Sequence, residues 1–98
     1  MDKVSYDYYR IFYYVAKYGS ISRAAEILHS NQPNITKYMN NLESQLGCRL
    51  MTRSNKGVTL TPEGEKLYVH VQIAYSQLRE AENELSGVGK MRTGTIRI

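Results

Sequence analysis

Between positions 32 and 44 the chain carries Gln32, Pro33, Thr36, Lys37, Asn40, Asn41 and Ser44. On a helical wheel Pro33, Lys37, Asn40 and Ser44 share one face, and Gln32, Thr36 and Asn41 flank it. Apart from Lys37 this face is uncharged and rich in hydrogen-bonding groups. Glutamine or asparagine can bond an adenine edge through two contacts at once, and threonine can meet a thymine methyl. Lysine can reach guanine or a phosphate. A carboxylate here would be repelled by phosphates, and the nearby Glu43 falls toward the apolar side instead. Further along, Arg53 and Lys56 flank Ser54 and Asn55 in a short basic turn. Such a tip can touch phosphates or push an arginine into a narrow minor groove. Taken singly, a polar helix face and a basic turn are ordinary solvated surface. Their succession, behind a short capped helix, points to a nucleic-acid duplex.

These groups need elements to hold them. Residues 7–18 (DYYRIFYYVAKY) repeat apolar positions at helical spacing, with Tyr8, Ile11 or Phe12, Val15 and Ala16 inward and Gly19 as the stop. So many aromatics would also suit a strand, but length and period favour a helix. Ser20 caps a second helix over about 21–29, whose inner face is Ile21, Ala24 or Ala25, and Leu28. Asn31 caps a third, with Gln32 and Pro33 in its first turn, where a missing N–H costs nothing. Ile35, Met39, Leu42 and Leu46 form its apolar stripe, and Gly47 closes it. Strands over Arg49–Thr52 and Val58–Leu60, joined by the 54–57 turn, make a hairpin. The second and third helices together suggest a helix-turn-helix, with the hairpin as a wing.

Thr61, Pro62 and Glu63 open a fourth helix that runs to about Leu85 or Ser86. Leu67, Val71, Ala74, Leu78, Ala81 and Leu85 follow alternating spacings of four and three, a narrow coiled-coil-like seam. Tyr68 and Tyr75 form a partial stripe beside it. The regularity of the seam fits pairing with another chain, and docking on its own domain is the alternative. The small Ala74 and Ala81 would permit close helix approach. Residues 87–94 read as a linker, and Thr95–Ile98 alternate like the start of a strand. The chain is therefore expected to be the front of a longer protein.

Composition narrows the function classes. Ninety-eight residues suffice for one small core, and 42% hydrophobic content suits a packed domain. The net charge is +4, and residues 1–60 carry all of that excess. No apolar run approaches a membrane span, and residues 1–12 lack the pattern of a signal peptide, so a cytoplasmic location is the default expectation. The single cysteine, Cys48, reads as a small buried filler. His29 and His70 stand far apart, with no metal-ligand spacing, no phosphate loop and no nucleophile–base pair. His29 reads as packing or capping, and His70 as a solvated flank. The nine tyrosines could stack single-stranded bases, but most lie at core spacing. No enzyme emerges, and neither a cofactor nor a metal is expected.

The run GSISRAAEILHSNQPNITKYMNNLESQLGCRLMTRSNKGVTLTPEGEKL resembles the N-terminal winged helix-turn-helix of LysR-type transcriptional regulators. The likeness is carried by Gly19-Ser20, Arg23-Ala24-Ala25, Leu28-His29, Gln32-Pro33, Leu42-Glu43, Leu46-Gly47, Arg49-Leu50, Arg53 and Leu60-Thr61-Pro62-Glu63-Gly64. It covers about residues 7–85. Asn31, Thr36 and Lys37 stand where the family commonly has Ser, Ser and Arg. The resemblance implies a prokaryotic regulator that binds double-stranded operator DNA as a dimer or a dimer of dimers, its fourth helix pairing antiparallel with its mate. It implies DNA contacts at Ser22, Gln32, Pro33, Thr36 and Lys37, with wing contacts at Arg53 and Lys56. A small-molecule effector is expected to bind a C-terminal domain beyond this sequence.

The expected architecture is thus mainly α. A winged helix-turn-helix over 1–61 has three helices and a short β-hairpin. A linker or dimerisation helix follows over 62–86, then an interdomain linker and the start of an effector domain over 87–98. Asn40 joins the expected DNA contacts from its place on the polar face. The six seam residues are the expected dimer interface. A module that dimerises without specific DNA binding is the alternative function.

Overall fold

The computed structural model describes residues 5–86, so the linker and strand expected over 87–98 lie outside the described residues. Helices α1 (Tyr6–Tyr18), α2 (Ile21–Ile27) and α3 (Gln32–Leu46) come first. Strands β1 (Met51–Ser54) and β2 (Gly57–Leu60) follow, and then helix α4 (Pro62–Leu85). Each helix begins where a side-chain oxygen accepts an orphan first-turn N–H. Ser5 accepts from Asp7 at 3.1 Å, Ser20 from Arg23 at 3.0 Å, Asn31 from Asn34 at 2.9 Å and Thr61 from Gly64 at 3.0 Å. The aromatic segment is therefore a helix, capped one residue earlier than its apolar period suggested.

The core gathers Ile11, Phe12 and Val15 of α1, Ile21, Ala24 and Ala25 of α2, and Ile35, Met39 and Leu42 of α3. Ala24 is fully buried, which places α2 close against its neighbours. The core is completed by Leu50, Met51 and Val71. Leu46, expected on the buried stripe, is instead 36% exposed. It sits in the last turn of α3 beside left-handed Gly47, and Leu50 and Met51 close the core in its place. Cys48 is only half-buried at the core edge.

Helix α2 ends two residues earlier than expected. His29 adopts a left-handed φ of 57°, its N–H bonds Glu26 O, and Ser30 N–H bonds Ala25 O. This pairing is a Schellman closure, in which the left-handed residue turns the chain and satisfies the last carbonyls. His29 is exposed and acts through its backbone. This closure forms the tight turn into α3.

The first strand also differs, starting at Met51 instead of Arg49. The register is Met51↔Leu60, Thr52↔Thr59, Arg53↔Val58 and Ser54↔Gly57. Residues 49–50 are occupied elsewhere. Glu43 Oε2 accepts from Leu50 N–H at 2.8 Å and from Met51 N–H at 3.3 Å. The Arg49 carbonyl accepts from the Thr61 hydroxyl at 2.7 Å, and the Leu50 carbonyl from Thr61 N–H at 3.0 Å. The Glu43 carboxylate, largely buried, thus ties the end of α3 to the entry of the hairpin. The far edge of the hairpin is pinned by Val58 N–H to Gly19 O at 2.9 Å.

Only the first half of α4 meets the body. Gly64 and Val71 are buried and Leu67, Tyr68 and Tyr75 half-buried, whereas residues 76–86 are all exposed. The tyrosines serve this junction. Tyr75 lies 4.6 Å from Tyr13 and 6.1 Å from Tyr6 between ring centroids, and Tyr68 lies 6.4 Å from Phe12. Burial pushes the Tyr75 phenol well above its ordinary range, and the Tyr6 hydroxyl adds to the shift. No hydrogen bond of good geometry is completed by the Tyr75 hydroxyl among the described residues. Burial raises Tyr68 in the same direction. The folded state therefore holds these protons more tightly than the unfolded chain. The resulting stability is whole below about pH 10 and is lost as pH rises beyond it. Urea denaturation at about pH 8 and about pH 11 is expected to show this loss. Tyr75→Phe should reduce the loss while leaving stability at about pH 8 unchanged or slightly higher.

Candidate nucleic-acid interface

The α2–turn–α3 unit stands α3 with its N-terminal end outward. Gln32, Pro33, Lys37 and Asn40 are exposed, and Thr36 is half-buried. An open concavity along this face is lined by Gln32, Pro33, Thr36, Lys37, Asn40 and Asn41. A second, more polar groove runs between the start of α2, the start of α3 and the hairpin. Ser22, Gln32, Thr36, Arg53 and Lys56 line it, together with Ser20, Ser54 and Asn55. Gln32 and Thr36 belong to both, so the two concavities meet along the first turns of α3. All eight residues expected to contact DNA border one or the other. Neither lining includes a carboxylate.

Several side chains hold this surface in shape. Ser20 Oγ caps α2 and lies 3.1 Å from Ser22 Oγ. Arg53 Nη1 donates to Thr36 Oγ1 at 3.3 Å, joining hairpin to helix across 17 positions. Thr52 and Thr59 hydroxyls meet at 2.9 Å across the strands, and Ser54 Oγ accepts from Lys56 N–H at 3.2 Å. Asn41, half-buried at the edge of the face, donates to Tyr8 Oη at 3.4 Å. Arg23, exposed on α2, lies 3.8 Å from Glu26 and 6.0 Å from the Tyr18 ring centroid. That pair is exposed, so it contributes little to stability. Sequence reasoning missed the Arg53–Thr36 contact and the bond from Val58 to Gly19. Neither leaves a local pattern, since each joins distant segments.

The seam on α4 divides. Val71, expected at a dimer interface, is 7% exposed and belongs to its own core. Over these first turns the seam and the face that docks on α1 coincide. Leu67 is half-buried, while Ala74 and Ala81 are exposed, Leu78 is 46% exposed and Leu85 82%. Beside them an apolar groove of about 220 Å³ opens between α1 and α4, lined by Tyr6, Tyr9, Leu67, His70, Val71, Ala74, Tyr75 and Leu78. Among the described residues no three His, Cys, Asp or Glu side chains gather as metal ligands. No described helix is long and apolar enough to cross a membrane.

Three helices with an outward third helix, a hairpin laid against it and a long helix leading away define a winged helix-turn-helix domain. Residues 6–65 match the family model described as bacterial regulatory helix-turn-helix protein, lysR family. The chain belongs to this family. It is 43% identical over 89 residues to the HTH-type transcriptional regulator YofA of Bacillus velezensis, covering 91% of this chain and 31% of that protein. It is 33% identical over 89 residues to the nitrogen assimilation regulatory protein nac of Escherichia coli, covering 91% and 29%. The chain thus spans about a third of the length of these relatives. Among solved structures, the BenM_DBD/catB site 1 DNA complex superposes with a TM-score of 0.76 at 26% identity, covering 90% of this chain and 95% of that one. The CbnR_DBD–DNA complex superposes with a TM-score of 0.72 at 30% identity, covering 82% and 92%.

Proposed function

We propose that this chain is the DNA-binding part of a LysR-type transcriptional regulator that reads double-stranded operator DNA. Helix α3 enters the major groove with Gln32, Pro33, Thr36, Lys37 and Asn40 toward the base edges. Ser22 supports it from α2, and Arg53 and Lys56 reach phosphates or the minor groove. One observation carries this reading: seven polar or cationic groups and Pro33, drawn from α2, α3 and the hairpin, border two joined concavities without a carboxylate. The chain has no catalytic role. It acts in the cytoplasm, and an effector domain in the longer protein binds a small molecule.

Selection of bound sites from a random DNA pool tests the reading. An enriched sequence whose affinity falls steeply with salt supports it. A chain that neither enriches a site nor retards random-sequence DNA at low salt would be an assembly module alone.

The same protein dimerises through α4, on the exposed Ala74, Leu78, Ala81 and Leu85 and the apolar groove at their base. An enriched inverted repeat would report that two-fold geometry. Leu78→Glu is expected to yield monomers in sedimentation velocity. A dimer that survives the change rules this interface out.

A further inference from the structure

We propose that Thr36 is a positioning residue for Arg53, so that the recognition helix and the wing read DNA as one coupled unit. The inference rests on the DNA-binding function proposed above and adds a division of labour within its site.

Arg53 stands on β1 opposite Val58, whose N–H is held by the Gly19 carbonyl. The base of the wing is therefore tied to the α1–α2 corner. The Arg53 side chain leans the other way, onto α3, where Nη1 donates to Thr36 Oγ1 at 3.3 Å. Thr36 is half-buried at the line where the two concavities meet, and Arg53 is exposed. The guanidinium is thus parked at the edge of the recognition surface with four further N–H donors uncommitted to Thr36. A long exposed arginine normally loses rotamer freedom when it engages a partner. Here part of that ordering is complete before DNA arrives.

The contact constrains Thr36 as well. Its oxygen accepts from Arg53, and among the described residues its hydroxyl donates to no protein acceptor. The hydroxyl proton is left for a base or phosphate acceptor. Threonine in this setting both holds the wing arginine and presents a donor. Valine, of nearly the same shape, does neither.

A double-mutant cycle on the 98-residue chain and its selected duplex tests the coupling. Thr36→Val is expected to weaken binding about five-fold, and Thr36→Ser to stay within about two-fold of the parent because it keeps the oxygen. In an Arg53→Ala background the Thr36→Val loss should shrink to what the lost Thr36 donor to DNA contributes, since the group being positioned is gone. Thr36→Val should also shift base preference at the same flanking positions that Arg53→Ala shifts. Thr36→Ala, which adds no branched side chain, repeats the cycle if the valine variant melts early. Additive losses, with Thr36→Val altering only positions under α3, would overturn the coupling while leaving DNA binding intact. Failure of the parent chain to bind any selected duplex would remove both.

Discussion

Lys37→Glu is expected to weaken binding to the selected duplex by about 100-fold, close to 2.7 kcal/mol. Lys37 is exposed on the outward face of α3 and lines the concavity formed with Gln32, Pro33, Thr36 and Asn40. A hydrogen bond to a charged group contributes about 1.5–3 kcal/mol, and reversal adds repulsion from the polyanion. The slope of log affinity against log salt should fall by about one for the lost cation and further for the new anion. Stability should change by less than about 0.5 kcal/mol, because the side chain has no packing role. Titration by fluorescence anisotropy at several salt concentrations reads both quantities. Gln32→Ala is the contrasting variant. It should relax base preference by about 1–3 kcal/mol at one position with little change in salt slope. If Lys37→Glu binds like the parent, α3 is not the element in the groove.

Gly64→Ala is expected to cost about 3 kcal/mol of stability and to lower Tm by about 15 °C. Gly64 lies in the first turn of α4, buried, with its N–H donating to the Thr61 cap at 3.0 Å. A Cβ there would run into the Leu50 carbonyl, and the obstacle is backbone, which cannot swing aside. The same carbonyl accepts from Thr61 N–H, so retreat of α4 would break a second contact. The loss is large against a total of about 5–15 kcal/mol for a domain of this kind. Gly47→Asn is the control. Gly47 has φ +76° and open space around its would-be Cβ, and asparagine tolerates that region at a cost below about 1 kcal/mol. Thermal melts followed by circular dichroism compare the two. Equal melts would show that the α4 start does not press on Leu50.

Much of this architecture was legible in the sequence because its signals are local. Ser20, Asn31 and Thr61 mark helix starts by side-chain chemistry that acts two or three residues away. Ile35, Met39 and Leu42 mark an inner face by periodicity, and that face in turn sets Gln32, Pro33, Lys37 and Asn40 outward. Two of the differences fall where another segment intervened, and one is a local backbone conformation. β1 begins late because Glu43 and Thr61 claim the backbone of residues 49–50. Leu46 lost its core place to Leu50 and Met51. Helix α2 stops early because His29 takes a left-handed conformation that a helical count does not register.

The α4 seam shows the same boundary most clearly. Its spacing of four and three determined one apolar edge along the helix, and the regularity of that edge suggested pairing with another chain. Periodicity cannot say which body an apolar edge meets, since burial within a chain and burial between chains draw on the same hydrophobic effect. Tertiary packing decided that Val71 belongs to its own core and that Leu78 and Leu85 face outward. It likewise decided that Arg53 rests on Thr36, a contact across 17 positions. By itself the sequence determined the helices, their caps, the polar face and the basic turn, because those depend on neighbours within one or two turns of chain. The joining of that face and that turn into one surface required the fold, because the distance between them is set by how the whole chain packs.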